Sequence, residues 1–124
     1  IEIPQEFVDH RGAIRNIADG KLGDVAVIES TPNAVRANHY HLQDWHFTYV
    51  VAGTIHYEWT TNRLDRSVKE RVFRAGELIF TPPGVPHRMK FAEQTIFVAV
   101  SKLSRMAELY EKDTVRLESD FFGI

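Results

Sequence analysis

Two stretches decide how this chain reads: Asn38-His39-Tyr40-His41-Leu42-Gln43-Asp44-Trp45-His46, and the later Thr81-Pro82-Pro83-Gly84-Val85-Pro86-His87. His39 and His41 stand two apart, so on a strand both imidazoles project from one face and can chelate one ion. His46 follows after a four-residue connector and opens an alternating run in which Thr48 and Val50 share its face. His87 comes directly after a turn whose prolines fix φ and limit the chain's freedom. Four of the six histidines therefore occupy spacings that strands can bring together. His39, His41, His46 and His87 are candidate ligands of a divalent transition metal, while a His-x-His pair by itself is also common on half-exposed strands. The alternative is a metal-free ligand pocket in which the same side chains act as bases or hydrogen-bond donors.

On both sides of these histidines the chain reads as short strands punctuated by Gly, Pro, Asn and Asp. Alternation predicts strands at Ala13 to Ile17 and Val25 to Glu29, and through Trp45, Phe47, Tyr49 and Val51 against His46, Thr48 and Val50. Gly53 turns the chain into Thr54 to Thr61, with Ile55, Tyr57 and Trp59 on one face and His56, Glu58 and Thr60 on the other. Further strands are expected at Val68 to Phe73, Leu78 to Thr81, His87 to Phe91 and Thr95 to Ser101. Closely spaced strands without alternating helices predict an all-β sandwich or barrel over about residues 7 to 101 and exclude a doubly wound α/β fold. One short helix is expected from a Ser104 cap to about Lys112, with Met106, Leu109 and Tyr110 at helical spacing. Val115 and Leu117 then alternate with charged residues and Phe121, Phe122 and Ile124 make an apolar end, all read as surfaces that pack on the barrel or on a second subunit. A single domain covering residues 1 to 124 is the expected organisation.

Composition narrows the chemistry. The 124 residues contain no cysteine, which removes disulfide scaffolds, thiol catalysis and thiolate metal sites and leaves imidazole and oxygen as ligands. Fifteen Lys plus Arg against seventeen Asp plus Glu give a net charge of −2, no electrostatic footprint for nucleic acid. No apolar run approaches the ~18 residues of a membrane-spanning helix, so no membrane partner is expected and the cytoplasm is the expected location.

The histidine intervals resemble the two-part signature of the cupin superfamily. Its first motif runs His-x-His, three or four residues, Glu, six residues, Gly; here His39-Tyr40-His41 is followed after four residues by His46 and after six more by Gly53. Its second runs Gly, five residues, Pro-x-Gly, two residues, His, as Gly76, Pro82-Pro83-Gly84 and His87 do. The departures are His46 in place of the usual Glu and Phe91 in place of a customary Asn. The resemblance implies an RmlC-like jelly-roll β-barrel and, with His46, the four-histidine variety of cupin metal site. Four neutral imidazoles leave a +2 ion uncompensated, which favours an anionic group in its open positions. Fe, Mn, Ni, Co, Cu and Zn all suit imidazole.

Two shorter segments resemble nucleotide-sugar enzymes within the cupins. Phe7-Val8-Asp9-His10-Arg11-Gly12 is similar to an early Phe-x-Asp-x-Arg-Gly segment of 3,5-epimerases and ketoisomerases, and Arg36-Ala37-Asn38-His39-Tyr40-His41 to their Arg-Gly-x-His-Tyr segment and to an Arg-Gly-Asn-His-Tyr-His stretch of capsular-polysaccharide enzymes. The resemblance implies proton removal beside a keto group of a nucleotide-linked sugar and its return to the other face, in a homodimeric protein. In the metal-free epimerases the histidine matching His39 is the base, a role closed to it if it binds metal. Tyr57 and His56 are then the candidate proton carriers, with opposite side-chain parity, so that at most one faces the pocket. Arg36 and Arg88 are candidate forks for a diphosphate; the alternative for each is a solvated surface arginine. His10 reads as a solvated turn residue and His56 as half of a surface pair with Glu58. Trp45, Phe47 and Trp59 read as core, with base or sugar stacking as the alternative. A dioxygenase acting on an enolisable small molecule and a non-catalytic binding barrel are the rival functions.

Overall fold

The period-two stretches become antiparallel strands. The computed structural model describes residues 6–61, 64, 67–104 and 107–123. In chain order these form β1 (Glu6–Asp9), β2 (Gly12–Arg15), β3 (Asp24–Ser30), β4 (Val35–His41), β5 (His46–Ala52), β6 (Thr54–Trp59), β7 (Lys69–Arg74), β8 (Leu78–Thr81), β9 (His87–Lys90), β10 (Thr95–Ser101), α1 (Ala107–Asp113) and β11 (Thr114–Arg116). β1 and β2 make a hairpin. The rest form two sheets, ordered β3-β10-β5-β8 and β11-β4-β9-β6-β7, with antiparallel pairing throughout. This is a jelly roll, as the spacing and the resemblance imply.

Alternation decides which side chains fill it. On β5, Thr48 and Val50 are buried while Val51 is exposed; on β6, Ile55 and Tyr57 point inward. They meet Phe73, Ile79, Met89, Phe91, Phe97 and Ala99 in one apolar cluster between the sheets. Phe91, standing where the resemblance leads one to expect Asn, stacks on Phe97 with centroids 5.8 Å apart, so this position contributes core volume. The β5–β6 turn requires Gly53: its φ is +88°, and a Cβ would lie 2.6 Å from the Gln94 carbonyl oxygen.

One face differs from the simple pattern. Glu58, expected in a surface pair with His56, is buried, as is Thr60 on the same face, and the C-terminal segment holds the arginine that pairs with Glu58. Arg88 pairs with Glu58 at 2.8 Å and donates to the carbonyls of Phe122 and Gly123. Its guanidinium lies over the Phe122 ring. Phe121 and Phe122 are thus buried against the barrel. The helix is described over Ala107–Asp113 and runs straight into β11, which pairs with β4 where Val115 and Leu117 alternate with charged residues. Met106, Ile124 and the side chain of Leu109 lie outside the described residues. Among the described residues no helix is long and apolar enough to cross a membrane.

Candidate metal centre

The site begins with a break in β4. Arg36 lies opposite Met89 and His39 opposite His87, yet the two are three residues apart, which regular alternation would send to opposite faces. A bulge between Ala37 and His39 absorbs the extra residue, with φ of 66° at Ala37 and 59° at Asn38. Asn38 is tied down by its side-chain amide, which donates to Glu118 O, and by its carbonyl, which accepts from Leu117 N. Arg36, His39 and His41 consequently share the interior edge of the barrel.

Three elements bring the imidazoles together. The rings of His39 and His41 are 4.6 Å apart and those of His39 and His87 are 4.9 Å apart. One ligand nitrogen from each of His39, His41 and His87 lies within 4.8 Å of the other two. The ring of His46 stacks on His41 at 4.6 Å, and His41, Asp44 and His46 form a second such group that shares His41. The four expected ligands thus meet as two overlapping groups.

Hydrogen bonding sets the tautomers. His87 Nδ1 is 2.9 Å from Val85 O; a carbonyl only accepts, so Nδ1 carries the proton and the Nε2 lone pair is available. His41 Nδ1 faces Thr114 Oγ1, whose own hydrogen goes to Tyr110 O, and the Asp113 carboxylate, both at 3.4 Å. These acceptors place its proton on Nδ1 as well. Burial, reinforced by the neighbouring imidazoles and Arg116, drives His39 down to about 2. Burial likewise brings His87 to about 3, against the opposing Val85 hydrogen bond. Both rings therefore stay neutral at physiological pH, the form that binds metal. His39 Nδ1 is buried without a hydrogen-bond partner, an unfavourable state for a polar atom that a cation would relieve, and His46 Nε2 has the Asp44 carboxylate at 3.0 Å. The residues present fit a transition-metal ion.

The remaining candidates separate by location. A cavity of about 130 Å³ is lined by Arg36, His39, His46, Thr81, His87 and Tyr110, among others. Arg36 sits at its rim, held by hydrogen bonds to Ser30 Oγ and Glu29 O. Tyr57 points inward, stacks on His87 and shares a 2.6 Å hydrogen bond with Thr81 Oγ1. Burial, opposed by that bond, pushes its hydroxyl up to about 12. His56 takes the opposite parity and pairs with Glu70 at 3.2 Å instead of Glu58. Arg88 is neither at the cavity nor solvated, because Glu58 and the C-terminal carbonyls occupy it. His10 is exposed in the β1–β2 turn. Trp45 and Phe47 pack together and Phe47 meets Phe80, while Trp59 borders the apolar cluster. Sequence reasoning missed Asp44, Asp113 and Tyr110. Asp113 accepts from Gln43 N and Asp44 N and so fastens the connector between His41 and His46. Only the short distance of Asp44 from the histidines in sequence could have signalled any of the three.

Such an architecture defines a class: antiparallel jelly-roll barrels that carry a histidine cluster at one end of the interior. A cupin domain family model matches residues 26–101, and the chain belongs to the cupin family. No curated protein gives a significant sequence match. Among solved structures, the capsular polysaccharide assembling protein CapF from Staphylococcus aureus is 22% identical with a TM-score of 0.66; 92% of this chain aligns with 34% of that one. This chain therefore spans about a third of that relative's length. A 3,4-ketoisomerase from Helicobacter canadensis is 14% identical with a TM-score of 0.75, over 95% of this chain and 90% of that one. QdtA, a sugar 3,4-ketoisomerase from Thermoanaerobacterium thermosaccharolyticum in complex with TDP, is 15% identical with a TM-score of 0.69, over 95% and 87%. At these identities the likeness establishes the fold.

Proposed function

We propose that the protein is a metal-dependent isomerase or epimerase of a nucleotide-linked keto-sugar in polysaccharide biosynthesis. The observation that carries this reading is the convergence of neutral, buried imidazoles on a cavity that also holds Arg36 and the Thr81 hydroxyl. His39, His41 and His87, with His46 beside them, would hold the ion. Once bound, a divalent ion supplies Lewis-acid polarisation of a ketone. The chain's own contribution is to position and to move protons. Tyr57 keeps its hydroxyl proton and can pass it through Thr81 Oγ1 to the cavity. In this reading Tyr57 is the proton carrier, while His56, on the opposite face, has no route to the ring. Arg36, at the rim, is suited to the diphosphate. The cavity is smaller than the ~300 Å³ lower range of drug-sized pockets, so it suits the reacting sugar ring, with the nucleotide outside. A homodimer belongs to the same reading, since the hairpin residues Phe7, Val8 and Ile14 and the β3 residues Val25 and Val27 expose apolar surface.

Incubation with 4-keto nucleotide sugars in D₂O tests the proposal. Deuterium is expected on the carbon beside the ketone, and the exchange rate should drop in Tyr57→Phe. Oxygen uptake with a diketone or phenolic substrate, and no deuterium exchange, would overturn the reading in favour of a dioxygenase. Ligand binding with neither reaction would make the barrel a binding module.

A further inference from the structure

We propose that Asp44 is an anionic ligand of the metal ion, restoring from the connector the carboxylate that position 46 does not supply. The inference rests on the metal-binding reading and goes beyond it by naming a ligand that the motif spacing does not contain. Asp44 is only 3% exposed. Its Oδ1 is fixed by Leu103 N at 3.0 Å, and the backbone N–H of Asp44 is held by Asp113. The other oxygen, Oδ2, lies 3.0 Å from His46 Nε2. This contact is an ion pair when the ring is protonated, and without that proton it does not satisfy Nε2 as a hydrogen bond.

An unprotonated imidazole nitrogen beside a carboxylate oxygen sets lone pair against lone pair, and either a proton on Nε2 or a metal ion relieves the repulsion. Two donors bound at about 2.1 Å and at right angles to each other are about 3.0 Å apart, which matches the separation found. His41 lies within the same 4.8 Å group as Asp44 and His46 and is also common to the group with His39 and His87. Asp44 and His46 therefore group with His41 and not with His39 and His87, so the ion that Asp44 binds is one held by His41 and His46, beside the other two imidazoles. A bound Asp44 also halves the charge that a divalent ion brings into a neutral, buried imidazole cluster.

The test uses the full chain without a His tag, titrated with Co²⁺ by calorimetry and visible absorption. Asp44→Asn keeps an oxygen for Leu103 N while removing the charge. It should bind cobalt at least tenfold more weakly, with a shifted d–d spectrum, while the metal-free melting curve remains cooperative. Wild-type binding with an Asp44→Asn variant of equal affinity, or weaker with an unchanged spectrum, would overturn the role of Asp44 alone. Absence of cobalt binding by the wild type would overturn the metal reading itself. Should the variant not fold, anomalous scattering from cobalt-soaked wild-type crystals decides: an ion within about 2.2 Å of Asp44 Oδ2 supports the proposal, and one beyond 3 Å refutes it.

Discussion

At Ala37 the backbone holds φ at 66° without being glycine. A left-handed conformation costs an L-residue with a Cβ roughly 1–2 kcal/mol, whereas glycine's extra entropy in the unfolded chain costs ~0.5–1 kcal/mol. Ala37→Gly should therefore raise stability by up to about 1 kcal/mol, read as a higher midpoint in urea with an unchanged slope. A lower midpoint would show that the bulge is not strained. The strain lies where it is useful, since the extra residue is what lets Arg36 face the same cavity as His39. The shared face of His39 and His41 was legible because a two-residue interval on a strand has one geometric meaning, and His46 and His87 were singled out by the resemblance of their intervals to the cupin signature. The bulge was not legible, because neither Ala37 nor Asn38 interrupts the apparent alternation.

Elements contribute through what they fasten. The α1–β11 unit lies along β4, and its junction residue Asp113 spans the amides of Gln43 and Asp44 at 2.8 and 3.1 Å. It also faces His41 Nδ1. Asp113→Ala leaves those amides without their acceptor at a cost of roughly 1–3 kcal/mol. The same change frees the connector between His41 and His46, so metal affinity should fall with stability. Asp113→Asn, retaining one acceptor oxygen, should fall between the two in thermal melts and metal titration; equal affinity in all three proteins would separate the helix unit from the site. The barrel strands were legible because a half-buried strand imposes a period of two. At β11 the alternation of Val115 and Leu117 was legible as a packing surface, but three paired residues carry too little pattern to give a strand or its partner β4. Nor was the burial of Glu58 legible: it pairs with Arg88 thirty residues away, itself held by the carbonyls of Phe122 and Gly123.

For the molecule as a whole, the fold keeps imidazoles neutral where water would let them charge. His39 and His87 sit at about 2 and about 3 in the fold, against an ordinary value of 6.5 that the unfolded chain approximates. Above 6.5 neither state binds these protons, and stability does not depend on them. Below 6.5 the unfolded chain takes up protons that the fold refuses, so stability falls as the pH drops toward the folded values. Two such groups make the decline steep. The melting temperature of the metal-free protein should be nearly level from pH 8 to 7 and then fall progressively from about pH 6.5 to pH 4. A bound ion stabilises only the folded state, so the loaded protein should melt higher at pH 7. Protons compete with the ion for the same nitrogens, so that advantage should narrow on acidification. Melting curves across this range, with and without Co²⁺, check both effects. A metal-free profile level down to pH 4 would mean that His39 and His87 are hydrated enough to charge within the fold, and the neutral cluster would have to be abandoned.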